Sequence, residues 1–115
     1  MLASPNRLRK AHEINRVYKR GSYGGAEGAI SVKAVKSGRA VSRAVVVVGK
    51  KVDKRAVVRN KIRRRLSAAL ADIWGTLPAG YDIVVSVHTD VSDQAAPKLQ
   101  SLLRTALSRA HVLAD

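Results

Sequence analysis

The chain has 115 residues, a length that predicts a single domain over residues 1–115 with one hydrophobic core. It contains no cysteine, which excludes disulfides and thiolate metal sites, and no apolar run approaches the ~18 residues that span a bilayer. Its net charge of +14 accompanies 46% hydrophobic residues, which excludes a wholly disordered polyelectrolyte and favours a folded, cytoplasmic protein with an anionic partner.

The first part of the chain predicts a helix followed by two strands. The helix extends from a Ser-Pro pair at residues 4–5 to Gly21, because apolar residues recur at three- and four-residue intervals between them. Alternation then predicts a half-exposed strand over residues 28–35. A hairpin loop at residues 36–39 leads to a second strand, a β-branched run that ends at residue 48.

The second part of the chain predicts a helix, a strand and a final helix. An apolar stripe at helical spacing indicates a helix over residues 56–74, which a Gly-Thr-Leu-Pro-Ala-Gly segment ends. Residues 81–87 form a third predicted strand, and leucines at helical spacing predict a closing helix over residues 99–110. This order predicts an α+β fold in which helices pack against one small sheet.

Positive charge is concentrated in one region of the chain. Residues 1–70 contain 19 basic and 3 acidic side chains, whereas residues 71–115 contain 3 and 5. Nine of the 16 residues 50–65 are Lys or Arg. Like charges one helical turn apart repel by roughly 0.2–0.5 kcal/mol per pair, a cost that a phosphate backbone would convert into attraction. Nucleic acid is therefore the leading partner class, and a solvated face or an anionic membrane surface is the alternative.

The residues that could carry chemistry favour a binding protein over an autonomous enzyme. His12, His88 and His111 lie far apart in different predicted elements, in no metal-binding or nucleophile pattern. We interpret His12 as an exposed helix residue and His88 as a strand-end residue. No catalytic residue and no metal ligand is predicted.

Several segments of the sequence resemble one known family. VVRNKIRRRL, preceded by AVVVVGKKV, is similar to the signature of the protein component of bacterial ribonuclease P. RLRKAHEINRVYKRG resembles the first helix of that family, YDIVVSV its Asp-aliphatic strand, and LQSLLRTAL its closing helix. The resemblance covers essentially the whole chain, with the segments in the order of the family.

This resemblance implies a particular fold and function. The fold would be an α-β-β-β-α-β-α two-layer sandwich with a left-handed β-α-β crossover, as in one domain of a small-subunit ribosomal protein, and would contain one strand more than periodicity predicts. The chain would be an accessory subunit of an endoribonuclease that removes the 5′ leader from precursor tRNA. Catalysis would belong to the RNA subunit and to Mg²⁺ bound mainly by that RNA, with one protein per RNA.

The resemblance implies two binding surfaces, and the spacing of the charges supports the first of them. One is the basic helix and the residues before it, which would contact the catalytic RNA through Lys50, Lys51, Arg55, Arg59, Asn60, Lys61, Arg63 and Arg64. The other is a cleft between the first helix and the sheet, which would hold the 5′ leader through Ile14, Tyr18, Ile30 and Val32.

The sequence departs from the family pattern at both surfaces. Lys61 replaces an arginine of the signature, which retains the charge but loses the bidentate geometry. Ile14 and Val32 stand where aromatic residues are common, which leaves Tyr18 as the predicted stacking residue, or alternatively as a core residue. The alternative function is a non-catalytic RNA- or DNA-binding protein of the ribosome or nucleoid, which would leave the processing of precursor tRNA unaffected.

Overall fold

The computed structural model describes residues 2–113, so the predicted domain limits at residues 1 and 115 lie outside the described residues. Its elements are α1 (Ala11–Arg20), β1 (Ser22–Ala26), β2 (Ile30–Lys36), β3 (Arg43–Val48), α2 (Ala56–Ile73), β4 (Tyr81–Val87) and α3 (Ala96–Arg109). The predicted α+β class and the order α-β-β-β-α-β-α are confirmed. Within this part of the chain, no helix is both long and apolar enough to cross a bilayer.

The four strands form one sheet in the order β1-β2-β4-β3. The pairs β1–β2 and β2–β4 are antiparallel, whereas β3 and β4 are parallel neighbours. A parallel pair needs a crossover connection, and α2 provides it. The left hand of this crossover stays a prediction.

The hairpin predicted at residues 36–39, which would pair β2 with β3, is wrong. Because β4 lies between β2 and β3, residues 37–42 connect two strands that do not pair. The hairpin instead joins β1 to β2 through Glu27 and Gly28, whose φ angles are 54° and 67°. Positive φ values suit the twist of a tight hairpin. A local turn signal at residues 36–39 indicates a turn, but it does not reveal which strand pairs next.

Strand β1 is the element that periodicity does not predict. Its sequence, Ser-Tyr-Gly-Gly-Ala, contains no β-branched residue. It pairs with β2 and packs against α3, where a Cβ at Gly24 would lie 2.2 Å from the carbonyl oxygen of Ala106. The missing side chain lets the helix approach the strand closely. The glycine-rich stretch thus supplies the extra strand that the resemblance implied.

Helix α1 begins at Ala11, not at the predicted Ser-Pro start. That pair begins a single 3₁₀ turn, and residues 7–10 then run extended. The N–H of Leu8 donates to the carbonyl of Ala44 in the edge strand β3 at 3.0 Å. A tertiary hydrogen bond therefore replaces the helical one, which a local capping signal does not show.

Helices α2 and α3 pack on one face of the sheet and form the main core. The sheet residues Ile30, Val32 and Val85 lie in it together with Leu66 of α2 and Leu103 of α3. Full burial of an aliphatic side chain contributes about 1.5–3 kcal/mol, so this face provides most of the hydrophobic stabilisation.

Helix α1 packs on the opposite face, where a smaller apolar cluster surrounds Val17 and Val84. The helix contacts β2 and β4. Outward from these strands, Tyr23 on β1 remains 60% exposed. Because α1 has no contact with β1 among the described residues, it leaves the β1 side of this face uncovered, and we call this uncovered strip beside α1 the groove.

A charged cluster fixes α1 to the sheet. Arg43 of β3 donates to both carboxylate oxygens of the buried Asp82, at 2.9 and 2.7 Å, and to both oxygens of Glu13 in α1, at 3.2 and 2.8 Å. These hydrogen bonds lower the pKa of the Glu13 carboxyl and raise the pKa of Arg43. Asp82 would be a buried charge without a partner if Arg43 were lost, so the cluster depends on the arginine.

Candidate nucleic-acid interface

The two lysines after β3 lie in an ordered turn. The strand ends at Val48, and the turn is closed by a hydrogen bond of 3.1 Å from the N–H of Val52 to the carbonyl of Gly49. Lys50 and Lys51 are exposed within it. Both ammonium groups therefore stand at the surface just before α2.

Asp53 holds the start of α2. Its carboxylate accepts hydrogen bonds from the Arg55 backbone N–H at 2.8 Å and from the guanidinium Nε and Nη2 at 3.1 and 3.0 Å. The hydrogen bonds from Arg55 lower the pKa of Asp53 to about 2. A carboxylate at a helix N-terminus also interacts favourably with the helix dipole. The one acidic residue of this segment is therefore engaged in holding the helix start.

Arg59 has a structural contact that its sequence position does not reveal. Its Nη1 donates to the carbonyls of Asp53 and Lys54 at 3.0 and 2.8 Å. The side chain is half-buried and bridges the first turn of α2 to the residues that precede it. Arg59 therefore positions the link between β3 and α2 and also adds charge to the surface.

The outward side of α2 presents the remaining polar residues. Asn60, Lys61 and Arg64 are exposed, and the half-buried Arg63 donates a hydrogen bond to the Asn60 side-chain oxygen. Lys61 lies 4.0 Å from the carboxylate of Asp93. Among the described residues Arg64 has no side-chain partner, so its five N–H donors are available to a ligand.

Arg65 has a different role from the two arginines before it. Its Nη1 and Nη2 donate to the carbonyls of Ser92 and Gln94, both at 2.6 Å. It thereby attaches α2 to the loop that precedes α3. Neighbouring arginines of α2 thus differ in role, because Arg64 points to the surface and Arg65 holds the helix to the loop.

The predicted RNA-contacting residues cluster around the start of α2. This cluster, which we call the basic surface, consists of Lys50, Lys51, Arg55, Arg59, Asn60, Lys61, Arg63 and Arg64. All eight lie in the link after β3 or in the first half of α2. Their contact with RNA stays a prediction.

Ile14 and Tyr18 lie on the side of α1 that faces the sheet. Ile14 packs against the small apolar cluster, whereas Tyr18 is 38% exposed, with its hydroxyl 3.5 Å from the Ser86 hydroxyl on β4. Tyr18 therefore reaches the open groove and is not a buried core residue.

Ile30 and Val32 do not line the groove, and this part of the prediction is wrong. Both are almost fully buried in the core formed with α2 and α3. Because side chains alternate along a strand, the residues of β2 that face α1 are Ser31, Lys33 and Val35. An assignment that is wrong by one residue along a strand places the side chain on the opposite face of the sheet. The alternation of apolar and polar residues along β2 already indicates in the sequence which side of the strand faces the core.

The groove contains polar and aromatic residues that sequence reasoning did not assign to it. The Ser31 hydroxyl lies 2.7 Å from His88 Nε2, and Lys33 Nζ donates to the Tyr18 carbonyl at 2.8 Å. Tyr23 stands opposite Lys33 in the register of β1 and β2. The set that we call the sheet groove consists of Tyr18, Tyr23, Ser31, Lys33, Ser86 and His88.

The three histidines belong to different elements of the fold. His12 is on α1, His88 directly follows β4, and His111 follows α3. In residues 2–113 no group of three or more His, Asp or Glu side chains is placed to hold a metal ion.

Comparison with known proteins relates this fold and sequence to one family. The ribonuclease P family profile matches residues 2–111. The ribonuclease P protein component of a Pseudanabaena species is 36% identical over 115 residues, covering 98% of this chain and 97% of that protein. The Cyanothece protein component is 32% identical over 128 residues, covering 98% of each chain. The ribonuclease P protein of Thermotoga maritima superposes with a TM-score of 0.78 at 28% identity, covering 90% of this chain and 96% of that one.

Proposed function

This chain belongs to the family of ribonuclease P protein components, and from that premise we propose that it helps a catalytic RNA remove the 5′ leader from precursor tRNA. The basic surface would bind the catalytic RNA, and the sheet groove would bind the leader. One protein would act with one RNA in the cytoplasm, and the catalytic Mg²⁺ would be bound mainly by the RNA.

The observation that carries this proposal is the presence of two different surfaces on opposite faces of one sheet. The basic surface lies on α2, which packs on one face, whereas the sheet groove opens beside α1 on the other. The molecule measures 36 × 30 × 24 Å. A protein of this size can hold two RNA segments next to each other, which a general binding protein with one basic patch would not need.

The chemistry of the basic surface suits a phosphate backbone. Arginine presents a planar fork that matches phosphate oxygens, and the lysines add mobile point charges around it. Each phosphate that is neutralised releases counterions and adds about 0.7–0.9 to the slope of log affinity against log salt. Bound RNA would also relieve the repulsion among the cations of α2. The same neutralisation would reduce the Mg²⁺ concentration that the catalytic RNA needs.

The chemistry of the sheet groove suits a single strand. An exposed tyrosine offers a face on which an unpaired base can stack, worth about 1–3 kcal/mol per base. Tyr18 has such an exposed face, and Lys33 places a positive charge beside it. A mature tRNA lacks the leader that would occupy this groove.

The test compares precursor tRNA with the mature tRNA made from it, each bound to the catalytic RNA with and without the protein. The protein should raise affinity for the precursor by about fivefold or more and affinity for the mature tRNA much less, because stacking a single leader base already accounts for that factor. An equal increase for both RNAs would support the general binding protein and contradict the proposal.

A further inference from the structure

We propose that the end of the sheet next to the C-terminus of α3 contains a binding site for a small phosphate monoester of the size of a mononucleotide. A cavity of about 410 Å³ lies there. The site is separate from the basic surface and from the sheet groove, so this inference does not depend on how either of them binds RNA.

The register of the sheet places the cavity away from both of those surfaces. Lys36, the last residue of β2, is paired with Tyr81, the first residue of β4. Both continue the alternation of Ala34 and Ile83, which lie in the core, so both side chains are on the face of α2 and α3. The sheet groove is on the opposite face. The basic surface lies beyond the other end of β4, roughly 20 Å along the strand.

The residues around the cavity present unused cations and hydroxyl groups. The polar lining residues are Arg20, Ser22, Lys36, Tyr81 and His111, and the apolar ones are Ala34, Val35 and Ala110. None of the eight is acidic, and in residues 2–113 none of the five polar side chains has a hydrogen-bond partner.

The electrostatic balance of the cavity is positive. Helices α1 and α3 both end beside it, and each C-terminus contributes about half a negative charge. Together these two helix ends offset about one of the two fixed charges of Arg20 and Lys36. The remaining charge and the free donors suit a phosphate group, because hydrogen bonds between charged partners are the strong ones.

His111 has a backbone conformation that normally requires glycine. Its φ is 64°. It follows α3 in a Schellman motif, in which its N–H donates to the carbonyl of Ser108 at 3.0 Å and the N–H of Val112 donates to the carbonyl of Leu107 at 2.9 Å. Strained residues of this kind occur most often at functional sites. The strained residue lines the cavity, which supports a binding role for its imidazole ring.

The size of the cavity indicates a ligand larger than phosphate alone. Sites for small molecules measure about 300–1,000 Å³, and this cavity falls within that range. The apolar residues and the half-buried ring of Tyr81 provide contacts for a sugar or a base, while the cations bind the phosphate. A mononucleotide combines these parts.

The test is calorimetric titration of the full chain with adenosine 5′-monophosphate (AMP), adenosine and inorganic phosphate at constant ionic strength. AMP should bind more tightly than adenosine, which lacks the charge, and than phosphate, which lacks the apolar part. Arg20→Ala and Lys36→Ala should each weaken AMP binding by about tenfold or more, the order expected for one hydrogen bond to a charged group. Arg104→Ala is the matched control and should keep wild-type affinity, because Arg104 is exposed on α3 outside the cavity.

His111→Gly separates ligand binding from stability. Glycine adopts a positive φ without strain, so the urea midpoint of the free protein should stay the same or rise. The affinity for AMP should nevertheless fall by about tenfold, since the ring is lost.

Three results would overturn the inference. The first is that AMP does not bind, or binds with wild-type affinity to Arg20→Ala, Lys36→Ala and His111→Gly, which would place it elsewhere on the protein. The second is equal affinity for AMP and inorganic phosphate. The third is displacement of AMP by a short RNA without a terminal phosphate, which would assign the cavity to the RNA backbone.

Discussion

Arg59 and Arg64 lie on the same basic helix but differ in their protein contacts. Arg59 donates to two carbonyls of the link before α2, whereas Arg64 is exposed and without a partner in the described part of the chain. Charge and spacing predict the same role for both residues. In the fold they differ, because the guanidinium group of Arg59 reaches backbone oxygens and that of Arg64 does not.

Replacing these two arginines separately should therefore give different results. Arg64→Ala should reduce the salt slope of RNA binding by about 0.7–0.9 and change the free energy of unfolding by less than about 0.5 kcal/mol. Arg59→Ala should also weaken binding, and should in addition lower the free energy of unfolding by roughly 1 kcal/mol because two carbonyls lose a donor. Salt titration and urea denaturation measure the two quantities. Identical stabilities of the two variants would contradict the structural role of Arg59.

The Glu13–Arg43 contact predicts a specific pH dependence of stability. Hydrogen bonds from Arg43 lower the pKa of the Glu13 carboxyl below its ordinary value of 4.5. A lowered pKa in the folded state contributes stability that is complete above the unfolded pKa and is lost as the pH falls through the folded pKa. The urea midpoint should therefore decrease as the pH falls below about 5, and should decrease less in Glu13→Gln.

Arg39→Ala is the matched control for this pH effect. Arg39 also approaches Glu13, at 3.4 Å, but its side chain is mostly exposed, so its contribution should be small. The same acid sensitivity in Glu13→Gln and wild type would show that the contact does not govern stability in this range. Asp53, whose pKa is lowered to about 2, should lose its stabilising contribution over an overlapping range as the pH falls from about 5. It contributes equally in wild type and Glu13→Gln, so the difference between these two proteins reports Glu13 alone.

At the scale of elements, segments with strong local periodicity were predictable and segments defined by distant partners were not. The strand over residues 81–87 has the predicted bounds, and α2 ends one residue before its predicted end at residue 74. Strand β1 depends on pairing with β2 and on close contact with α3, neither of which is encoded in its five residues. The start of α1 likewise depends on a hydrogen bond to β3.

The packing of β1 against α3 gives a prediction at this scale. Gly24→Ala should lower the free energy of unfolding by about 1–3 kcal/mol, because its Cβ would overlap the α3 backbone near Ala106. Gly75→Ala is the control, since a Cβ there would have no atom within 4 Å. Urea denaturation of both variants measures the difference. Equal stability of Gly24→Ala and the control would contradict the close approach of β1 and α3.

The two candidate surfaces were predictable to different degrees for the same physical reason. The residues of the basic surface are close in sequence and share one helix and its link, so spacing was sufficient to group them. The sheet groove combines residues from α1, β1, β2 and β4. Tyr23 and His88 lie in it because of the order of the strands and the alternation of side chains along them. The residues next to each of them in the sequence do not indicate this position.

At the scale of the whole molecule, the two parts of the chain have different tasks. Residues 1–70 provide most of the positive charge, and they contain the basic surface and most of the sheet groove. Residues 71–115 provide β4, which completes the centre of the sheet, and α3, which covers the core. If the basic surface and the sheet groove bind RNA as proposed, the uneven distribution of charge separates the elements that meet RNA from the elements that support them.

Cleavage of precursor tRNA by the catalytic RNA at low Mg²⁺ should be compared with and without this protein. If the cations of the protein neutralise phosphates and its groove holds the leader, the protein accelerates cleavage and lowers the Mg²⁺ concentration required. The stimulation should decrease as salt is raised. Cleavage that is unaffected by the protein at every Mg²⁺ and salt concentration would show that the protein does not assist the catalytic RNA.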